Sequence, residues 1–133
     1  MTQPRGAIII LNWNGLKDTL ACLESLRRLD YPACEIVVVD NGSTDESVAT
    51  IRAAYPVVTL IETGENLGYV GGNNAGLKYA QSTKADYALL LNNDTEVDPG
   101  FLKLLVDVAE NDPKVGIVGP MIYYYTQPEV IWS

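Results

Sequence analysis

Short apolar runs alternate with amphipathic segments along the chain, and this alternation predicts a parallel α/β fold. Four runs are rich in Val, Ile or Leu and only about five residues long, as is typical of strands buried on both faces of a sheet. They are residues 7–11, 35–39, 57–61 and 87–91. Because strands alternate with helical segments, we expect a mostly parallel sheet with helices on both faces.

The predicted helices begin at residues that favour helix caps and turns. Asn14 precedes an apolar stripe at helical spacing and is the predicted cap of the first helix. Residues 43–46, Ser-Thr-Asp-Glu, have the pattern of a capping box and predict the start of the second helix. Asp98 is the predicted cap of the last helix, with Pro99 at its first position.

The remaining segments carry weaker signals. Residues 63–72 are rich in glycine and predict a loop, and a weaker helix is expected over residues 73–81. Residues 115–118 and 121–125 are candidate strands near the end of the chain.

Composition narrows the class of protein. The 133 residues, 47% hydrophobic and 20% charged, suit a single domain spanning 1–133. The chain has no histidine, which excludes His-based acid–base chemistry, Ser-His triads and His-ligated zinc. A net charge of −8 without a basic cluster argues against nucleic-acid binding. Cys22 and Cys34 have no metal-ligand spacing and are predicted to be reduced.

No apolar run is long enough to cross a membrane, so a soluble, cytoplasmic chain is expected.

Three polar clusters directly follow predicted strands. They are Asn-Trp-Asn at residues 12–14, Asp-Asn-Gly-Ser at 40–43 and Asn-Asn-Asp at 92–94. In parallel α/β sheets, ligands bind beyond the carboxyl ends of the strands. These clusters are therefore the candidate binding residues.

Each cluster has both a binding and a structural interpretation. Asp40 can accept hydrogen bonds from a nucleobase or ribose, or it can close an Asx turn. Trp13 can stack on a base or pack beneath the first helix. Asp94 can ligate a divalent cation that also binds substrate phosphates, or it can be a turn residue.

The segment from residue 65 to 76 adds glycines that allow close backbone approach and asparagines that supply amides. It lacks the Gly-Lys-Ser/Thr ending of a phosphate loop and does not fit the dinucleotide fingerprint.

Taken in order, these clusters resemble family 2 glycosyltransferases with the GT-A fold. The ordered set is Asn-Trp-Asn, Asp-Asn-Gly-Ser, Asn-Leu-Gly-Tyr-Val-Gly-Gly-Asn-Asn-Ala-Gly and Leu-Leu-Asn-Asn-Asp. The resemblance is greatest to the bacterial branch that includes rhamnosyltransferases, and it spans about residues 7–125. It implies the Rossmann-like, nucleotide-binding half of a GT-A domain.

The resemblance also implies roles for single residues. Asp40 would contact the base or ribose, and Asp94 matches the metal-contacting last aspartate of the family's Asp-x-Asp motif, with Mg²⁺ or Mn²⁺ as cofactor. Asn92 and Asn93 depart from the acidic form of that motif. The implied nucleotide-sugar contacts are Asn12, Trp13, Asn14, Asp40, Asn66, Gly68, Asn74 and Asn93.

The implied reaction is transfer of a sugar from a UDP-, dTDP- or GDP-sugar to an acceptor hydroxyl, with inversion, in cell-surface polysaccharide or glycoconjugate synthesis. The acceptor would be a carbohydrate or a lipid-linked glycan, and the protein could lie at the inner face of the membrane. The family's general base is a carboxylate well downstream of Asp94, and the chain offers no candidate for it. We therefore expect the nucleotide-binding part of a longer enzyme, C-terminally truncated and without the acceptor-binding half.

Two other classes of protein share part of this pattern. A non-catalytic module would bind the nucleotide sugar without transferring it. A receiver or flavodoxin-like domain is disfavoured, because the first strand is followed neither by an acidic pair nor by a phosphate loop. Without the rest of the fold, an exposed sheet edge and an apolar face would favour self-association.

Overall fold

The computed structural model describes residues 3–132, which form one central sheet, flanking helices and a small hairpin. The strands of the central sheet are β1 (Gly6–Asn12), β2 (Cys34–Asp40), β3 (Thr59–Glu62) and β4 (Tyr87–Asn92). The helices are α1 (Leu16–Leu26), α2 (Ser47–Ala54), α3 (Gly68–Ser82) and α4 (Phe101–Asn111). The hairpin pairs β5 (Ile122–Tyr123) with β6 (Ile131–Trp132).

The central sheet has the strand order β3-β2-β1-β4, and all its strands are parallel. In the register, Asn12 lies beside Asp40, and Leu11 lies beside Asn92. The ends of β1, β2 and β4 therefore bring the three polar clusters to one edge, as the sequence predicts. Among residues 3–132, no helix combines the length and apolarity needed to span a bilayer.

Helices cover both faces of the sheet, which confirms the predicted architecture. Ile8, Ile10 and Val38 pack on one face with apolar residues of α1, α2 and α4. Ile9 and its neighbours on the opposite face pack against α3. A Cβ added at Gly76 of α3 would lie 2.5 Å from Cγ2 of Ile9, so glycine allows this close approach.

The start of α3 corrects the predicted loop at residues 63–72, because residues 68–72 are helical. The glycine there allows close packing of helix on strand: a Cβ added at Gly72 would lie 2.4 Å from Cδ1 of Leu11. Tertiary packing thus overrides the low intrinsic helix propensity of this glycine-rich segment.

The predicted caps of the first two helices are wrong. Asn14 does not cap α1: it has a left-handed φ of 48°, and its Oδ1 accepts hydrogen bonds from the backbone N–H groups of Thr44 and Asp45. It therefore stabilises the turn before α2. The capping box at residues 43–46 does not form, because α2 begins at Ser47 and the Ser43 hydroxyl bonds elsewhere.

The last helix begins later than predicted. Asp98 accepts a hydrogen bond from the backbone N–H of Gly100, and α4 starts at Phe101, so Asp98 and Pro99 form the turn that precedes the helix.

Strand bounds also differ from those predicted. The strand expected at 57–61 begins at Thr59, because the Val58 N–H closes a turn with the carbonyl of Tyr55. Residues 115–118 form no strand, and the candidate at 121–125 is reduced to the two residues of β5. Along β4, the edge not paired with β1 has no strand partner among residues 3–132; self-association there stays a prediction.

Candidate functional site

A cleft of about 350 Å³ opens where β1 and β4 end, beside the first turns of α3. Trp13 is 53% exposed and forms part of its wall. The complete lining is Leu11, Trp13, Tyr69, Asn73, Leu91, Asn92, Asn93 and Asp94. The cleft therefore joins one residue of the first polar cluster to all three residues of the 92–94 cluster.

A second cavity, of about 160 Å³, lies between the N-terminal parts of β1 and β4, α4 and residues 115–118. Its lining is almost entirely apolar and holds none of the predicted site residues, so we assign it to packing.

Beside the cleft, a chain of hydrogen bonds crosses three elements of the fold and centres on Asn12. The Nδ2 of Asn12 donates to Oδ1 of Asp40 at 3.0 Å, and its Oδ1 accepts from the Thr19 hydroxyl at 2.7 Å. The Oγ1 of Thr19 in turn accepts from Nδ2 of Asn93 at 3.1 Å. We call this chain, from Asp40 through Asn12 and Thr19 to Asn93, the polar relay.

The charge at one end of the polar relay determines the direction of every bond in it. The carboxylate of Asp40 can only accept, so Asn12 must present its Nδ2 there and its Oδ1 to Thr19. The Thr19 hydroxyl proton is then donated to Asn12, so towards residue 93 the Oγ1 of Thr19 can only accept. An amide can donate to this oxygen and a carboxylate cannot. The relay is thus a physical reason for Asn93 in place of an acidic residue.

Asp40 is held within the fold by several donors. Besides Asn12, the backbone N–H and the hydroxyl of Ser43 donate to it, at 3.0 and 2.6 Å. Asp40 is 3% exposed. A carboxylate has about four acceptor positions, so about one remains for a base or ribose, and that contact stays a prediction.

Asn41 fixes the entry to α3. Its Nδ2 donates to Oδ1 of Asn66 and to the carbonyl of Gly68, both at 3.1 Å, and its Oδ1 accepts from the N–H of Leu67 at 3.0 Å. Asn66 and Gly68 therefore shape the backbone here and are not part of the cleft lining. Their contacts to a nucleotide stay predictions.

The two adjacent asparagines of α3 have different environments. Asn74 is exposed and outside the cleft lining, whereas Asn73 is buried and lines the cleft. Tyr69, four residues before Asn73, lies on the same face of the helix. Sequence reasoning missed Tyr69 because residues 63–72 are predicted to form a loop. Among the asparagines that supply amides, it assigned Asn66 and Asn74 to the site and left out Asn73. Helical spacing would have revealed the pair.

Thr19 was also missed, because a lone threonine on the buried face of a helix carries no functional signal in the sequence.

Asp94 is the only acidic residue in the cleft lining, and it is exposed. Within residues 3–132, its carboxylate makes no side-chain hydrogen bond, and no group of three acidic, Cys or His side chains forms a complete metal site. Mg²⁺ commonly takes one or two protein carboxylates and completes its shell with water and substrate phosphates. A single free carboxylate beside an open cleft fits that demand.

The cysteines contribute no reactive group near this site. Both are free, as predicted. Burial raises the pKa of the Cys22 thiol and of the Cys34 thiol to about 11. Each thiol is therefore protonated at neutral pH and is a poor nucleophile.

Comparison with known proteins identifies the family. Residues 7–133 match the family described as Glycosyl transferase family 2. The chain belongs to glycosyltransferase family 2. This membership confirms the resemblance that the ordered polar clusters carry.

Among curated relatives of this family 2 chain, the N-acetylglucosaminyl-diphospho-decaprenol L-rhamnosyltransferase of Mycobacterium tuberculosis is 32% identical over 108 residues. The match covers 75% of this chain and 35% of the relative. The chain thus spans about a third of the length of the curated relatives it matches. This similarity agrees with the predicted rhamnosyltransferase-like branch.

Solved structures confirm the GT-A type of fold for this family 2 chain. The mannosyltransferase PcManGT from Pyrobaculum calidifontis, in complex with GDP-Man and Mn²⁺, has a TM-score of 0.77 and is 27% identical. The alignment covers 86% of this chain and 34% of that one. TarS 1-349 of S. aureus, in complex with UDP-GlcNAc, has a TM-score of 0.66 and is 21% identical. This alignment covers 88% of this chain and 38% of that one, and at this identity the likeness concerns the fold alone.

Proposed function

We propose that the chain is a single nucleotide-sugar-binding domain of a glycosyltransferase that transfers a sugar from a UDP-, dTDP- or GDP-sugar to an acceptor hydroxyl. The observation that carries this proposal is the cleft at the ends of β1 and β4. It gathers an exposed tryptophan, several amides and one free carboxylate at the edge where parallel α/β sheets bind ligands. Family membership and the nucleotide-sugar complex of the mannosyltransferase PcManGT support it.

Asp94 is the residue that would hold a divalent cation, Mg²⁺ or Mn²⁺. When bound, such a cation neutralises the negative charge that develops on a departing diphosphate. The side chain of Asp94 is unpaired within residues 3–132 and needs no rearrangement to become a ligand.

The nucleoside would lie towards the ends of β1 and β2. The exposed ring of Trp13 offers a stacking surface for the base, and Asp40 offers its remaining acceptor position to the base or ribose. The polar relay holds Asp40 in place, so its contribution would be a pre-positioned acceptor.

The acceptor side of the reaction follows from the same proposal. An inverting transfer requires a base that removes the acceptor hydroxyl proton. Within the cleft lining, Asp94 is the only carboxylate and it is proposed as the metal ligand, so no residue is assigned as the base. We further propose a carbohydrate or lipid-linked acceptor, a role in cell-surface glycan synthesis and action at the cytoplasmic face of the membrane.

Calorimetric titration with UDP, dTDP and GDP, each with and without Mg²⁺ or Mn²⁺, tests the nucleotide site. We expect at least one of them to bind, more tightly with metal, and we expect Asp94→Ala to remove the metal-dependent gain. Glu96→Ala is the matched control, because Glu96 is an exposed carboxylate outside the cleft lining. A folded protein that binds none of the three nucleotides would refute the proposal.

The second candidate is a module that binds the nucleotide sugar without transferring it. The single carboxylate in the cleft lining favours it, because that residue cannot serve as metal ligand and base together. Release of nucleoside diphosphate from a bound nucleotide sugar, dependent on added acceptor, would exclude the non-catalytic module.

A further inference from the structure

Asn73 presents an unusual feature in the cleft wall. It is 6% exposed, and its Nδ2 has no hydrogen-bond partner within residues 3–132. Buried polar groups in folded proteins are nearly always paired, and an exception calls for an explanation. Because Asn73 also lines the cleft, a bound ligand could supply the missing partner.

The chemistry around Asn73 indicates what kind of ligand group would lie there. The lining contains no Lys or Arg, so it offers no cationic side chain to a phosphate group. Besides Trp13, which the proposed function assigns to the base, it offers the aromatic ring of Tyr69 and the amides of Asn92 and Asn93. An amide both donates and accepts, as a hydroxyl does, and an aromatic ring packs against apolar C–H groups. This combination suits an uncharged ring that carries hydroxyls.

The position of Asp94 orients the ligand within the cleft. Under the proposed function, Asp94 holds the cation that binds the diphosphate, and Asp40 lies towards the nucleoside. Asp94 and Asn73 line the same cleft, whereas Asp40 lies outside its lining. The group that enters the cleft beyond the diphosphate is then the donor sugar.

We propose that Asn73 recognises the donor sugar through a hydrogen bond between its carboxamide and a hydroxyl of the sugar ring. Half a turn about the last side-chain torsion exchanges Oδ1 and Nδ2, so the group can donate to the hydroxyl or accept from it. This inference rests on the proposed function, and it assigns sugar recognition to Asn73 rather than to its exposed neighbour Asn74.

The test compares binding of a nucleoside diphosphate with binding of its sugar conjugate, using UDP with UDP-N-acetylglucosamine, GDP with GDP-mannose and dTDP with dTDP-rhamnose. For the pair that the protein binds, Asn73→Ala should weaken binding of the sugar conjugate about tenfold, which corresponds to about 1.4 kcal/mol. Binding of the nucleoside diphosphate alone should not change.

Gln81→Ala is the matched control. It removes a carboxamide from an exposed position on the same helix and should change neither affinity.

A second variant separates recognition from stability. Asn73→Leu keeps the branched shape of the side chain, in a somewhat larger group, but cannot hydrogen-bond. Because no hydrogen bond of Nδ2 is lost from the free protein, its urea midpoint should equal or exceed that of the unmodified protein. Sugar-dependent affinity should still be lost.

The outcomes distinguish this inference from the proposed function. Unchanged affinity of the Asn73 variants for the sugar conjugate, or equal weakening of nucleoside diphosphate and conjugate, would overturn the inference alone. Failure of the unmodified protein to bind any nucleotide would refute the proposed function, and this inference with it.

Discussion

Replacing Asn93 by aspartate should destabilise the protein, although the two side chains are almost the same size. The Nδ2 of Asn93 donates to Oγ1 of Thr19 at 3.1 Å, and a carboxylate at this position has no proton to donate. The Thr19 hydroxyl cannot reverse the bond freely, because its own proton makes the 2.7 Å bond to Oδ1 of Asn12.

Every rearrangement of the polar relay leaves one mismatch. If the Thr19 hydroxyl turns towards the new carboxylate, the buried Oδ1 of Asn12 loses its donor. If the Asn12 carboxamide then turns over, its Oδ1 faces the carboxylate of Asp40, and two acceptors oppose each other. A buried polar group without a partner costs about 1–3 kcal/mol, so we expect Asn93→Asp to lower the free energy of unfolding by about this amount.

Urea denaturation followed by circular dichroism measures the effect as a lower midpoint with an unchanged slope. Asn92→Asp is the control, since it adds the same charge one residue earlier. Asn92 is exposed, and its carboxamide makes only a 3.5 Å contact with the hydroxyl of Tyr69. An exposed change of this kind costs within about 0.5 kcal/mol. Equal midpoints for the two variants would refute the reasoning.

A double variant tests the direction of the bonds. With Asp40→Asn added to Asn93→Asp, the amide at position 40 can donate to Asn12, Asn12 to Thr19, and Thr19 to the carboxylate at position 93. The relay is then complete in the opposite direction. The double variant should be more stable than the two single changes predict by addition, with a coupling of about 1 kcal/mol. Strict additivity would count against a directional relay.

The remaining predictions concern the turns, the cysteines and the metal. Gly42 and Gly64 both have left-handed φ, but of the two only Gly42 would bring an added Cβ against backbone, at 2.7 Å. Gly64→Ala should lower the free energy of unfolding, measured by urea denaturation, by about 1–2 kcal/mol, and Gly42→Ala should lower it clearly more. Equal losses for the two variants would contradict this. The folded-state pKa of about 11 for Cys22 and for Cys34 lies above the ordinary 9.0. The contribution of these thiols to the free energy of unfolding is therefore fully present below pH 9. It declines as the pH rises towards 11, by about 2–3 kcal/mol per thiol. Urea midpoints under reducing conditions should show this decline, Cys22→Ala should reduce it, and a flat profile would refute it. Without nucleotide, Mn²⁺ should give no saturable heat, because Asp94 alone supplies too few ligands; saturable binding that Asp94→Ala abolishes would disprove this.

Local patterns in the sequence were sufficient to predict the sheet and its polar edge. The β-branched run at 7–11 and the strands that follow are recognisable because strands buried on both faces consist of short apolar stretches. The register of a parallel sheet then brings the strand ends together, which is why the sequence predicts Trp13, Asp94 and the polar residues beside them at one edge. Their contacts with a nucleotide sugar stay predictions.

The helix starts could not be predicted in the same way. Residues 68–72 carry glycines that disfavour a helix locally, and only contact with Leu11 shows that the missing side chains are needed for packing. Asn14 has the residue type of a helix cap, yet its amide oxygen bonds to a different turn, 30 residues away along the chain. Competing partners from other elements decide such cases.

The sequence by itself determined the class of fold, the polar edge of the sheet and the lone acidic residue of the cleft, because each depends on short-range periodicity or on the order of clusters along the chain. Only the tertiary structure decided which of two adjacent asparagines, Asn73 or Asn74, faces the cleft, and why residue 93 is an amide. The physical reason is that both answers depend on neighbours distant in sequence. The rotation of α3 about its axis, set by its packing on the sheet, turns Asn73 inward and Asn74 outward. The Asp40 carboxylate fixes the orientation of Asn12 and, through it, that of Thr19, so position 93 must supply a donor.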